Sequence, residues 1–86
     1  MRYILFIRDN CPFCDSAIEL LAEKKLPFKV VRFDKRQTTA LNEVKAAYDW
    51  DTVPLIFKRE GNNITFIGGF TDLKEYLNKG KQLLKG

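Results

Sequence analysis

The sequence contains no histidine and only two cysteines among its 86 residues. Two cysteines are too few for the disulfide framework of a small secreted domain, and without histidine one chain cannot supply the four Cys and His ligands of a closed zinc site. No apolar run approaches the ~20 residues of a membrane span. The short apolar segment at residues 1–7 lacks a small-residue cleavage site and runs into Arg8 and Asp9. We therefore expect a soluble, cytoplasmic protein that binds neither a metal nor a membrane.

The chain also has no dense block of positive charge, although its formal net charge is +4. The lysines near the C-terminus are spread out, and no nucleic-acid motif is recognisable, so nucleic acid is not an expected partner. These lysines are typical of a solvated face that could steer an anionic partner. A hydrophobic content of 45% is enough to pack one domain over residues 1–86, and we expect it to be a monomer.

The two cysteines stand three positions apart in Cys11-Pro12-Phe13-Cys14, where an apolar run gives way to a helical pattern. Pro12 suits the first helical position, which places Cys11 at the helix N-terminus, where unpaired N–H groups and the helix dipole stabilise a thiolate. Cys14 lies one turn further on, on the apolar face. The pattern therefore predicts that Cys11 attacks and Cys14 resolves, with the charges of Asp9 and Asp15 offsetting part of the thiolate stabilisation.

Two other interpretations of this pair remain open besides the incomplete zinc site. A structural disulfide would close a very short loop and constrain the unfolded chain little. A pair of inert core thiols would explain neither Pro12 nor the location of the two cysteines between a strand and a helix. Cysteines at this spacing beside a strand–helix pattern favour redox chemistry.

The order of the predicted elements is β-α-β-α-β-β-α. Residues 3–7 and 28–33 are predicted parallel strands joined by a helix from Pro12 to Lys25 that Pro27 stops. A second helix, capped by Thr38 or Thr39, ends near residue 48. Residues 55–58 and 64–67 form an antiparallel hairpin, and a last helix begins at residue 71 or 72 and ends at Gly80. The order predicts an α/β fold with a four-stranded mixed sheet flanked by helices on both faces.

This order, with C-x-x-C at the head of the first helix, resembles the minimal thioredoxin fold and specifically the glutaredoxin family over nearly the whole chain. Three motifs carry the resemblance: Cys11-Pro12-Phe13-Cys14, in which the family usually has Tyr at the Phe13 position; the segment 52–54, which matches the family's T-V-P; and the segment 68–72, which matches its G-G-x-x-D.

The resemblance implies a redox-active Cys11–Cys14 disulfide, a cis Pro54, and a binding site for glutathione as co-substrate. Val53 would pair with the cysteine portion of glutathione, Thr71 and Asp72 would bind its γ-glutamyl end, and Arg8 would pair with its glycine carboxylate. In much of the family a residue on the second helix grips that carboxylate too, but the corresponding position is Leu41, so we expect Gln37 to substitute. The full implied glutathione set is Arg8, Cys11, Phe13, Gln37, Thr52, Val53, Pro54, Gly69, Thr71 and Asp72.

The function implied is a glutathione-dependent thiol–disulfide oxidoreductase that reduces protein disulfides and glutathionylated proteins. One alternative is a glutaredoxin-like electron donor to ribonucleotide reductase, recycled by thioredoxin reductase; its W-S-G-F pattern is only echoed by Gly69-Phe70. Two further alternatives are a glutathione-ligated iron–sulfur carrier, against which Pro12 argues in the family, and a non-redox basic binding module.

Overall fold

The computed structural model describes the backbone of residues 1–85 and the side chains of residues 1–78. The predicted order of elements is confirmed, with one additional single-turn 3₁₀ helix before α2. The elements are β1 (Arg2–Arg8), α1 (Pro12–Glu23), β2 (Phe28–Phe33), the 3₁₀ helix (Lys35–Gln37), α2 (Thr38–Ala47), β3 (Leu55–Glu60), β4 (Asn63–Gly68) and α3 (Phe70–Lys85).

The four strands form one mixed sheet in the order β2-β1-β3-β4. Strands β1 and β2 are parallel, as their helical connection requires, whereas β3 is antiparallel to both β1 and β4. Because Phe6 pairs with Leu55, the start of β3 lies beside the end of β1. The loops that follow β1 and β2 and the loop that precedes β3 therefore meet at one edge of the sheet, and both cysteines lie there.

Alternate residues of β1 enter two different core clusters, because successive side chains of a strand point to opposite faces. Tyr3, Leu5 and Ile7 pack with residues of α1 and with Leu73 of α3. Ile4 and Phe6 pack on the other face against a cluster that includes Leu41 of α2, together with Leu55 and Phe57. Helices thus cover both faces of the sheet, as predicted.

Two helices end at residues other than those predicted from the sequence. Helix α1 ends at Glu23 rather than at Lys25, and Pro27 is not what stops it. Helix α3 begins at Phe70 and continues past Gly80 to Lys85, so the predicted end at Gly80 is wrong; an interior glycine costs a helix about 1 kcal/mol but does not oblige it to end.

The start of α2 also differs from the prediction. The hydroxyl of Thr38 donates to the carbonyl of Lys35 at 2.9 Å and so caps no helical N–H, and Gln37 is the residue at the N-cap. The preceding segment, predicted as a loop, is the 3₁₀ helix because Asp34 accepts a hydrogen bond from the backbone N–H of Arg36 at 2.9 Å.

Candidate functional site

The two cysteines lie at the N-terminus of α1, as the sequence predicts. Cys11 is the N-cap residue with an extended backbone, and Pro12 occupies the first helical position. The backbone N–H of Cys14 donates to Cys11 Sγ at 3.2 Å. The two sulfurs are joined in a disulfide whose Cα atoms are 5.2 Å apart. Cys14 is only 1% exposed, while Cys11 is half-buried and is the sulfur nearer to the surface.

The segment before β3 faces Cys11 from across the sheet edge. The peptide bond between Val53 and Pro54 is cis, as the resemblance implies. The carbonyl oxygen of Val53 lies 3.8 Å from Cys11 Sγ. An extended peptide disulfide-bonded to Cys11 would therefore lie directly beside the main chain of Val53, which is the arrangement needed for strand-like pairing.

A groove of about 280 Å³, which we name the peptide groove, is lined by Val53 and by Phe13, the second residue after Cys11. It brings together most of the predicted glutathione set from three separate parts of the chain. Its lining residues are Phe13, Trp50, Thr52, Val53, Pro54, Gly69, Phe70, Thr71 and Asp72. The groove is thus formed by the first turn of α1, the loop before β3 and the first turn of α3.

Asp72 is held in the groove by the start of α3. Its Oδ2 accepts a hydrogen bond from the backbone N–H of Gly69 at 2.9 Å, which is the reciprocal half of a capping box. Gly68 has φ +126°, and a Cβ at that position would lie 2.6 Å from Asp72 Oδ2. Because Gly68 has no side chain, there is room for the carboxylate of Asp72, whose remaining lone pairs can accept hydrogen bonds from a ligand.

Of the predicted glutathione set, Arg8, Cys11 and Gln37 do not line the peptide groove. Arg8 lines a second hollow of about 350 Å³ on the other side of the loop that precedes Cys11. Gln37 lines neither cavity, and its Oε1 accepts from the backbone N–H of Asp34 at 3.0 Å. Leu41, the position at which much of the family has a polar residue, is only 3% exposed.

The Asp9 carboxylate, two residues before Cys11, forms an ion pair that the sequence does not predict. Asp9 Oδ1 accepts from Arg32 at 2.6 Å, and both side chains are more than half exposed. Because this ion pair compensates the carboxylate, Asp9 opposes a Cys11 thiolate less than its position in the sequence suggests.

Trp50 is a groove residue that the sequence analysis missed. Its indole ring lies 3.6 Å from the Cβ position of Gly69 and contacts Phe66 edge to face, with ring centroids 5.3 Å apart. The indole N–H is buried and has no acceptor among the described residues. In the sequence, Trp50 stands out only as the single tryptophan, two positions before Thr52. Its position beside Gly69 depends on the fold.

The described part of the chain has neither a metal-binding cluster nor a membrane-spanning helix. Within residues 1–78, no three His, Cys, Asp or Glu side chains are grouped so that they could hold a metal ion. Of the helices that the structure describes, none has both the length and the apolar character needed to cross a membrane.

Comparison with known proteins gives consistent matches over most of the chain. The glutaredoxin family model matches residues 3–61. A probable glutaredoxin of Acanthamoeba polyphaga mimivirus is 33% identical over 88% of this chain and 77% of its own length. Glutaredoxin-1 of Sus scrofa is 31% identical over 98% of this chain and 80% of its own length.

Solved structures agree with these sequence matches. A solution structure of glutaredoxin from Brucella melitensis has a TM-score of 0.68 and 31% identity, covering 95% of this chain and 84% of that one. A crystal structure of glutaredoxin 1 from Francisella tularensis complexed with cacodylate has a TM-score of 0.70 over 94% of this chain and 96% of that one. At 24% identity, this second match supports the fold.

Proposed function

The chain belongs to the glutaredoxin family of thiol–disulfide oxidoreductases, and we propose that glutathione is its electron donor and that the peptide groove binds it. The observation that carries the proposal is the groove itself. The groove combines the main chain of Val53, whose carbonyl oxygen lies 3.8 Å from Cys11 Sγ, with the first turn of α3 at Thr71 and the carboxylate of Asp72.

Cys11 is the proposed nucleophile. Its sulfur is the less buried of the two and accepts the N–H of Cys14 at 3.2 Å, and the same hydrogen bond stabilises a thiolate once the disulfide is reduced. Cys14 is the proposed resolving residue, because it is buried one helical turn away and its Cα lies 5.2 Å from that of Cys11, to which it is disulfide-bonded.

For a protein disulfide, the Cys11 thiolate attacks one substrate sulfur, the substrate S–S bond breaks, and the other sulfur leaves as a thiolate that takes a proton from water. Cys14 then attacks Cys11 Sγ, which releases the first substrate sulfur and forms the Cys11–Cys14 disulfide. Two electrons have passed from the cysteine pair to the substrate.

Glutathione returns these two electrons in two exchange steps. One glutathione thiolate attacks Cys11 Sγ, which forms a Cys11–glutathione disulfide and frees the Cys14 thiol. A second glutathione attacks the bound glutathione sulfur, which releases glutathione disulfide and the Cys11 thiolate. With a glutathionylated protein, the Cys11 thiolate attacks the glutathione sulfur, the protein thiolate leaves, and the same Cys11–glutathione disulfide forms. Its reduction therefore needs no resolving cysteine.

We place the γ-glutamyl end of glutathione at Thr71 and Asp72. The N-terminus of α3 offers backbone N–H groups to a carboxylate, and Asp72 offers an acceptor to the ammonium group. The cysteine portion pairs with Val53 beside Phe13, and the glycine carboxylate points towards Arg8. Disulfide-containing and glutathionylated proteins are the proposed partners, and the reducing cytoplasm is the compartment in which such a dithiol can cycle.

The test is reduction of a small mixed disulfide by purified protein with two separate donor systems. One contains glutathione, glutathione reductase and NADPH, and the other contains thioredoxin reductase and NADPH. We expect turnover only with glutathione, its loss in Cys11→Ser, and retained reduction of glutathionylated substrate in Cys14→Ser. Turnover only with thioredoxin reductase would refute glutathione as donor and favour a ribonucleotide-reductase donor instead.

A further inference from the structure

The second hollow lies where the two parallel strands end, on the opposite side of the Cys11 loop from the peptide groove. We name it the basic hollow; its charged lining residues are Arg8, Asp9, Asp34, Lys35 and Lys45. Its walls are the loop after β1, the segment after β2 and one side of α2. In α/β folds, ligands bind in crevices outside the carboxyl ends of parallel strands, so its position alone makes it a candidate site.

The charges of the basic hollow are unbalanced in favour of an anion. Its two carboxylates are each paired with a cation that does not line the hollow: Asp9 accepts from Arg32 at 2.6 Å, and Asp34 Oδ2 lies 4.0 Å from the guanidinium of Arg36. Its three cations, by contrast, make no ion pair with any described carboxylate. These cations are Arg8, Lys35 and Lys45.

The basic hollow is larger than the carboxylate of glutathione requires. A volume of about 350 Å³ corresponds to roughly ten water molecules at the ~30 Å³ that each occupies in the liquid. One terminal carboxylate beside Arg8 would leave most of that space, and both lysines, without a ligand. The remaining volume fits one or two acidic side chains of a longer substrate.

The direction of the substrate decides which of its residues enter the hollow. In the proposed function, the N-terminal side of the substrate cysteine lies towards Thr71 and Asp72, and its C-terminal side lies towards Arg8. This step rests on that function. We propose that the basic hollow recognises polypeptide disulfides in which Asp or Glu follows the attacked cysteine, and that Lys35 and Lys45 select such substrates.

The chemistry at sulfur is the exchange already described. The Cys11 thiolate attacks the peptide disulfide, Cys14 displaces the peptide, and the products are a peptide dithiol and the Cys11–Cys14 disulfide. The acidic residues change only the encounter and the bound geometry. A cluster of unpaired cations raises the association rate of an oppositely charged partner by tenfold or more at low salt.

The test is a single-turnover reaction that needs no glutathione. Pre-reduced protein is mixed with peptides that carry one internal disulfide, and the second-order rate of oxidation of the protein is followed by the tryptophan signal or by acid-quenched alkylation. Three peptides differ only in charge: two Asp after the attacked cysteine, two Asn there, or two Asp before it. We expect the first to react about tenfold faster than the second at low ionic strength, and faster than the third.

The chain offers a matched pair of variants for the source of this preference. Lys35→Glu and Lys29→Glu change the net charge equally, but Lys29 is an exposed residue of β2 that lines no part of the hollow. We expect Lys35→Glu to make the Asp and Asn rates equal and Lys29→Glu to keep the preference for Asp. Because the readout is a ratio within one variant, a loss of folded protein cancels.

Each other outcome contradicts the proposal. Equal rates for the three peptides in the wild type would mean that the basic hollow does not recognise acidic residues. An equal loss of preference in both variants would mean that long-range attraction, and not binding in the basic hollow, causes the preference. If none of the three peptides oxidises the protein, the redox chemistry of the proposed function fails as well. Normal oxidation without a charge preference refutes the basic hollow alone.

Discussion

Asp72 caps helix α3 in the structure, and in the proposed function it also binds glutathione. Its carboxylate accepts the N–H of Gly69 at the start of α3, and we assign its remaining lone pairs to the ammonium group of glutathione. The two tasks can be separated, because capping needs only an acceptor oxygen, whereas binding an ammonium group gains from a full negative charge.

We therefore expect Asp72→Asn to keep stability and lose glutathione affinity. The amide oxygen still accepts from Gly69, so the free energy of unfolding in urea should stay within about 0.5 kcal/mol of wild type. The KM for glutathione should rise about fivefold to tenfold, because a hydrogen bond to a charged group is worth about 1 kcal/mol more than a neutral one. Asp72→Ala should also lose about 1 kcal/mol of stability.

Glu75→Gln is the matched control, since it removes the same charge from an exposed position of the same helix. It should change neither quantity. Wild-type KM in Asp72→Asn would show that the carboxylate only caps the helix and that the γ-glutamyl end of glutathione binds elsewhere.

At this scale the sequence predicts a residue well when its neighbours in the chain define its environment. Cys11 and Pro12 could be placed because helix N-termini have local chemical rules, and Pro54 because it stands in a recognisable motif. Trp50 could not, because its neighbours Phe66 and Gly69 come from distant parts of the chain. Lys35 could not, because only the fold brings it to the same cavity as Arg8 and Lys45. Gln37 is a further example: it was proposed as a ligand from its position, and its side chain caps the 3₁₀ helix instead of lining either cavity.

Among the elements, α1 ends by a backbone motif rather than by proline. The N–H of Leu26 donates to the carbonyl of Leu21 at 3.0 Å, and the N–H of Lys25 donates to that of Ala22 at 3.1 Å. This is a Schellman motif. Its C′ residue is Lys25, with φ +56°, a conformation that costs a residue with a Cβ about 1–2 kcal/mol.

We expect Lys25→Gly to stabilise the protein. Glycine adopts this conformation without strain, and its greater freedom in the unfolded chain offsets part of that gain, so the free energy of unfolding should rise by about 0.5–1 kcal/mol in urea denaturation. Lys24→Gly is the matched control: its φ is −83°, and glycine there should destabilise by a similar amount. Changes of the same sign in both variants would contradict the motif as the cause.

The elements themselves could be predicted because their signals are periodic and local. Helices α1 and α2 follow apolar spacings of three and four, and the strand segments are short apolar runs between turn residues. The helix ends could not be predicted as well, because Lys25 gives no sign in the sequence that it adopts a positive φ. The segment 35–37 looked like a loop because a single turn is too short to show a period.

For the whole molecule, the sheet order explains why the site lies where it does. Strand β1 is central, with β2 beside it in parallel and β3 beside it in the opposite direction. Arg8, the last residue of β1, lines the basic hollow, and Phe13 in the first turn of α1 lines the peptide groove, so Cys11 stands in the chain between residues of the two cavities. The βαβ unit and the hairpin could each be predicted from the sequence, whereas the two cavities depend on how these halves pair, which only the register shows.

The other end of β1 carries a prediction about pH. Tyr3 is 2% exposed, and burial raises its pKa above the usual value of 10.0, although the nearby Lys58 opposes this. Lys58 donates to the hydroxyl of Tyr76 at 2.8 Å and pairs with Glu60 at 2.9 Å, and these two contacts also raise the pKa of Lys58. Both groups hold their protons more tightly in the folded state than in the unfolded one.

A raised pKa in the folded state means that its stabilisation is complete below the unfolded pKa and is lost as the pH rises. We therefore expect the free energy of unfolding of the oxidised protein, in which the cysteines do not titrate, to fall as the pH passes 10. Tyr3→Phe removes one of the two titrating groups while keeping the ring in the core. Its curve should match wild type in slope near pH 7 and fall less steeply above pH 10 in urea denaturation. Parallel curves throughout would mean that Tyr3 ionises as easily in the folded chain as in the unfolded one, and would contradict the prediction.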